Sequence, residues 1–203
     1  FVISTGWIQY NPTNASTNTL SGDNLTSFGD LTGSDAITIV STLTGDWNAG
    51  STWLGGVSPS NINNVSVQHV VSLTADTTIN SITITASGTL NAAGNKLTVN
   101  SNFTINGTFD GTGEIEFTGS SSQSISGSGT TFNNLTINNT SSGVSITSGA
   151  FNLTGTLTLT DGTFNTNNAL TLISNASGTA RIARITGGSI SGGITMQRYV
   201  PSG

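Results

Sequence analysis

Ile82-Thr83-Ile84, Leu97-Thr98-Val99, Ile115-Glu116-Phe117, Leu135-Thr136-Ile137, Leu157-Thr158-Leu159 and Leu170-Thr171-Leu172 repeat one pattern, two apolar residues flanking a central one. Their starts lie 15, 18, 20, 22 and 13 residues apart within the stretch from Thr78 to Ile185. Strand side chains alternate between two faces, so each triplet turns its apolar members inward and its centre outward. Gly, Asn and Ser fill the intervals, and no segment carries the apolar period of a helix. Short units recurring at such intervals stack so that each buries its neighbour's apolar edge. The expected fold is therefore all-β, a right-handed parallel β-helix (β-solenoid) of about six rungs with an N-terminal capping segment. A β-sandwich also has many short strands, but it joins them by hairpins and has no reason to repeat one triplet, whereas hairpin dipeptides such as Asp161-Gly162 are few in the repeats.

Stacked in register, the triplets predict an outward ladder of Thr83, Thr98, Glu116, Thr136, Thr158 and Thr171. Shorter strands complete the rungs at Phe103-Thr104-Ile105, Ser124-Ile125, Val144-Ser145-Ile146, Phe151-Asn152-Leu153 and Ala180-Arg181-Ile182. Glycines such as Gly107, Gly111, Gly127, Gly143 and Gly162 mark the corners.

The organisation expected is threefold. Residues 1–44 read as N-terminal strands and a loop, the tail of a preceding module or a cap, with strands near Phe1-Val2-Ile3, Trp7-Ile8-Gln9-Tyr10 and Ala36-Ile37-Thr38-Ile39-Val40. The Thr-, Asn- and Ser-rich interval Asn11 to Ser34 between them has the composition of a loop or a disordered segment. Residues 45–77 read as a cap bearing Trp47 and Trp53 together with the first strands, and 78–203 as the rungs, continuing into a longer polypeptide.

Charged residues make up only 6% of the 203, against roughly 25% in an average protein, so Thr, Ser and Asn must cover the surface. The net charge is −5, and three of the four basic residues, Arg181, Arg184 and Arg198, sit near the C-terminus, which leaves no basic stripe for nucleic acid. Cysteine is absent, which excludes disulfides and thiolate metal sites. No apolar run is long enough to span a membrane as a helix.

Trp47 and Trp53 lie in a Gly-rich segment with few other apolar residues, and each can bury roughly 150 to 250 Å² on a first rung. An exposed ring would instead serve as a sugar-stacking platform. This segment runs Gly45-Asp46-Trp47, Trp53, Gly55-Gly56, Pro59, Val65-Ser66-Val67 and His69-Val70-Val71, and is followed by Thr131-Phe132-Asn133-Asn134-Leu135-Thr136-Ile137 and Ile194-Thr195-Met196-Gln197-Arg198-Tyr199-Val200. Over Gly45 to Pro201 that order resembles the parallel β-helix modules of large secreted, adhesin-like surface proteins of Bacteroidota, many of them type IX secretion substrates. The resemblance implies an extracellular or cell-surface location, flanking domains in the same polypeptide, and no catalytic residues. Asn63 and Asn64 stand where members of that family often carry acids. Asp76-Thr77-Thr78 resembles the Asp-Thr/Ser-apolar sites at which Bacteroidota attach O-linked glycans, making Thr77 the candidate acceptor.

Asp110, Glu114 and Glu116 form the acidic cluster within the repeats, a candidate weak Ca²⁺ site and the support for an enzymatic reading. With no base near it in sequence, catalysis is not expected, and no cofactor is implied. His69 is the single histidine and cannot form a zinc site alone. A regular Thr row such as Thr156, Thr158 and Thr160 invites comparison with ice-binding solenoids, but Thr is in any case a good strand former. The expected role is a non-catalytic structural or adhesive module. Trp47, Trp53, Thr83, Thr98, Thr136, Thr158 and Thr171 are its candidate contact residues, and glycans or neighbouring surface proteins its partners. The alternatives are a carbohydrate-binding or carbohydrate-active β-helix, and a self-assembling filament or sheath subunit.

Overall fold

Three short strands per turn, joined by Gly- and Asn-rich corners, let a chain with few long apolar runs close a core on itself. The computed structural model shows this arrangement and describes Val2–Ile3, Gly6–Trp7 and residues 37–201. The chain divides into two units, Phe1–Ser34 and Asp35–Gly203. In the first, strands Val2–Ile3 and Gly6–Trp7 pair antiparallel. The interval from Asn11 to Ser34, expected as a loop or a disordered segment, lies outside the described residues.

The second unit is a parallel β-solenoid with three faces. The first face is an eight-stranded sheet of Thr38–Val40, Asn64–Val67, Ser81–Ile84, Phe103–Ile105, Gln123–Gly127, Val144–Ile146, Thr163–Asn165 and Ser189–Ser191. At about 4.8 Å per strand it is roughly 34 Å long. The second face joins two consecutive four-stranded sheets, one from Gly45–Asp46 to Thr108–Asp110 and the other from Thr131–Phe132 to Ile194–Met196. The third holds Thr77–Ile79, Lys96–Val99, Glu114–Phe117, Asn134–Asn138, Thr156–Asp161 and Arg181–Ile182. All pairs within these faces are parallel.

The interior is the stack of inward residues. On the third face Leu97, Ile115, Leu135 and Leu157 stand in register, with Val99, Phe117, Ile137 and Leu159 beside them, all at 0% exposure. Phe103, Phe109, Phe132 and Phe151 form an aromatic column, in which Phe132 and Phe151 stack at 5.6 Å. The alternating triplets thus do bury their flanking residues. The corners need glycine where two backbones meet: Gly143 has φ +81°, and a Cβ there would lie 2.1 Å from the carbonyl oxygen of Thr163 in the next turn.

Two features differ from the sequence expectation. The coil starts at Thr38 rather than Thr78, because Thr38–Val40 already pairs in parallel with Asn64–Val67. The six triplets do not form one ladder: Ile82-Thr83-Ile84 lies on the first face and Leu170-Thr171-Leu172 on the second, and only the middle four stack on the third. Asp161-Gly162 is the corner expected at Gly162, with φ +80°, and not the hairpin turn a sandwich would need. A true hairpin, Ser174–Asn175 with Gly178–Thr179, projects between the second and third faces.

Candidate functional site

The outer surface of the third face carries the charged groups that lie closest together. In-register pairing sets Lys96 beside Glu114, and Thr98 beside Glu116, then Thr136 and Thr158. Lys96 reaches diagonally, and its Nζ donates to Glu116 Oε2 at 2.8 Å. Asn138 Nδ2 donates to the other carboxylate oxygen of Glu116 at 3.3 Å, and the Thr136 hydroxyl donates to Glu114 Oε1. Asp76, from the preceding corner, accepts the backbone N–H of Lys96 at 2.8 Å. The hydrogen bond to Glu116 raises the Lys96 pKa above its ordinary 10.5; partial burial opposes this, and the charges of Glu116, Glu114 and Asp76 add to it. Sequence reasoning placed no base near these acids. The signal was present, since aligning Lys96-Leu97-Thr98-Val99 with Glu114-Ile115-Glu116-Phe117 puts Lys96 over Glu114.

Asp110 does not join this group. It ends a strand of the second face, and its Oδ1 accepts the N–H of Gly111 at 2.7 Å. Among the described residues no three acidic, His or Cys side chains converge as metal ligands, so the expected Ca²⁺ site at Asp110, Glu114 and Glu116 is corrected: two sheet faces divide it.

The tryptophans are also corrected as contact residues. Trp47 and Trp53 are 1% and 2% exposed and pack edge to face at 4.9 Å, so neither offers a ring for sugar stacking. Trp53 Nε1 donates to the Trp47 carbonyl at 2.7 Å, Ser41 bridges to Trp53, and a single 3-10 turn at Gly50–Thr52 closes the loop. They form the buried centre of the cap, the other expectation stated for them.

Of the threonines, Thr98, Thr136 and Thr158 share the third face, and Thr136 is buried at 9% exposure. Thr83 stacks with Ser66 and Thr104 on the first face, while Thr171 stacks with Asn152 and Thr195 on the second. The first face presents Ser, Thr and Asn from every strand from Asn64–Val67 onward, with no charged side chain on any of its described strands. Its hydroxyls and amides link across strands, as in Ser81 Oγ donating to Asn64 Oδ1 at 2.6 Å and Thr104 meeting Ser126 at 3.1 Å. Thr77 lies on the edge strand of the third face, and its hydroxyl donates to the carbonyl of Ala75 at 3.0 Å.

His69 is a strand-flanking residue whose Nδ1 lies 3.0 Å from the carbonyl of Ser41, which requires the Nδ1–H tautomer. Ser41 is 1% exposed, and its Oγ accepts the backbone N–H groups of Gln68 and His69, so this Ser-His contact ties the first two turns together. Sequence reasoning also missed two buried amides, Gln123 and Asn139, which staple successive corners. Gln123 stands at an inward position opposite Val144, so strand alternation alone would have located it.

No family model, curated protein or solved structure matches the chain.

Proposed function

We propose that this chain is a non-catalytic structural and adhesive module of an extracellular surface protein, and that its eight-stranded first face is the contact surface. The observation that carries this is the lateral hydrogen bonding of an uncharged Ser/Thr/Asn sheet face about 34 Å long. Hydroxyls and amides both donate and accept, which suits weak, repeated contacts with neutral glycans or with neighbouring surface proteins. Thr83 belongs to this face; Thr98, Thr136, Thr158 and Thr171 belong to the other two and are secondary contacts.

The third face supports the non-catalytic side of the proposal. A lysine serving as a general base needs its pKa lowered, whereas Lys96 is held protonated by Glu116. Glu114 and Glu116 are each engaged by a neighbouring side chain. Location at the cell surface and flanking domains belong to the same proposal and rest on the resemblance of Gly45 to Pro201 to secreted β-helix modules, and an O-linked glycan at Thr77 rests on the resemblance of Asp76-Thr77-Thr78 to Asp-Thr/Ser-apolar acceptor sites.

The test is incubation of the purified chain with a panel of insoluble and soluble polysaccharides, scoring retained protein and released sugar together. Retention without release, weakened when Thr83, Thr104 and Ser126 are replaced by Glu, is the expected result. Release of sugar that disappears in Glu116→Gln would overturn it in favour of an enzyme. Retention indifferent to the three Glu substitutions would move the contact surface off the first face.

A further inference from the structure

The scarcity of cations gives the chain a second property, which concerns proteases and does not depend on adhesion. Lys96, Arg181, Arg184 and Arg198 are its four basic side chains, so enzymes that cleave after Lys or Arg have four bonds to choose from. Such enzymes hold the residues flanking the scissile bond in extended form and need the backbone at that bond free of other pairing. Lys96–Leu97 cannot supply this in the native state. It opens a strand paired on both sides, and Leu97 is wholly buried. Arg181–Ile182 lies within a strand paired to Thr156 and Leu157, and the N–H groups of Arg181 and Ala183 are both bonded to the preceding turn. At Arg198–Tyr199 the N–H of the scissile bond itself donates to Ser174 Oγ at 3.2 Å, and that of Gln197 to Leu172.

Arg184–Ile185 is different. It lies in the connection between Arg181–Ile182 on the third face and Ser189–Ser191 on the first, where Arg184, Ile185 and Thr186 all reach solvent and Ile185 is 48% accessible. Among the described residues none of these three makes a hydrogen bond or an ion pair. The loop touches the coil again at Gly187, where a Cβ would meet the carbonyl of Thr160.

We infer that Arg184–Ile185 is the native-state cleavage site of this chain for an arginine-specific, trypsin-like endopeptidase. Water adds across that peptide bond, leaving a carboxylate on Arg184 and an amine on Ile185, and no other reactant is needed. The cut does not release the C-terminal fragment, because Ser189–Ser191 stays paired with Thr163–Asn165, and Ile194–Met196 with Leu170–Leu172. The result is a nicked coil whose last turn is held by hydrogen bonds and packing alone.

The probe is trypsin at a catalytic ratio on the full folded chain, with casein as a parallel control. Cleavage after Arg184 should outrun cleavage after Lys96, Arg181 or Arg198 by about tenfold or more, since those bonds must first open locally. The nicked product should run as one species on native gel filtration and separate into two fragments under denaturing conditions. Arg184→Gln, a substitution in the open connection, should remove the early cut. First cleavage at any other bond, an intact Arg184–Ile185 bond while casein is digested, or separation of the fragments on native gel filtration would each overturn the inference.

Discussion

At the scale of single residues, two polar arrangements predict opposite sensitivities. Asn139 is fully buried; its Nδ2 donates to Ser121 and Gln123 at 2.7 and 2.8 Å, and its Oδ1 accepts the N–H groups of Ser141 and Gly143. Removing the amide strands several partners away from water, so Asn139→Ala should cost roughly 2 to 4 kcal/mol in a urea titration. A cost near zero would mean that water enters the corner and takes the place of the amide. The Lys96–Glu116 pair is the contrasting case. Lys96 is 39% exposed and screened by water, so Lys96→Met should cost under about 1 kcal/mol at pH 7. The folded pKa of Lys96 is raised, so this contribution is fully present below the unfolded value of 10.5 and is lost as pH rises through the folded one. The stability gap between wild type and Lys96→Met should therefore close in strong alkali. A gap that widened there would refute the assignment.

At the scale of strands and corners, the sequence carries the alternation but not the allocation. Each Ile-Thr-Ile or Leu-Thr-Val triplet announces a half-buried strand, and every one is found as a strand with its flanking residues buried; of the central residues, Thr136 alone is buried as well. The triplet reads the same on all three faces, however, so nothing in Leu170-Thr171-Leu172 places it on the second face rather than beneath Leu157. Turn length gives no help, since Val65 pairs with Ile82 after 17 residues while Phe164 pairs with Ile190 after 26. That irregularity also dispersed the acidic cluster: Asp110 and Glu114 are near neighbours in sequence, but a corner at Gly111 turns the chain between them. The cap was more legible, because two tryptophans in a Gly-rich loop have nowhere to bury except against each other and the first turns. The corners make a paired prediction. Gly143→Ala combines a positive φ with a clash against Thr163 and should cost more than about 2 kcal/mol. Gly178→Ala, in the projecting hairpin with open space around it, should stay within about 0.5 kcal/mol. Thermal unfolding of the two variants checks the ranking, and equal losses would mean that corner geometry is not what limits the coil.

At the scale of the whole solenoid, each turn touches only the turns before and after it, so stability is set by neighbour contacts along one dimension. Damage at one end should stay there. Trp53 fills the cap over the opening turns, and its Nε1–H holds the loop to Trp47. Trp53→Ala removes that packing at a cost of roughly 3 to 5 kcal/mol to the local unit. Exchange of backbone hydrogens should then accelerate in Thr38–Val40, Gly45–Asp46 and the adjoining Asn64–Val67, whose ladder partners lie nearest the cap. Asn134–Asn138, which is paired on both sides in the middle of the third face, should keep its protection. Mass-spectrometric hydrogen exchange separates the possibilities directly. A graded loss that fades with distance from the cap supports nearest-neighbour opening, whereas equal acceleration in every turn would show that the coil opens as one cooperative body, and the cap would then be part of the condition for folding at all.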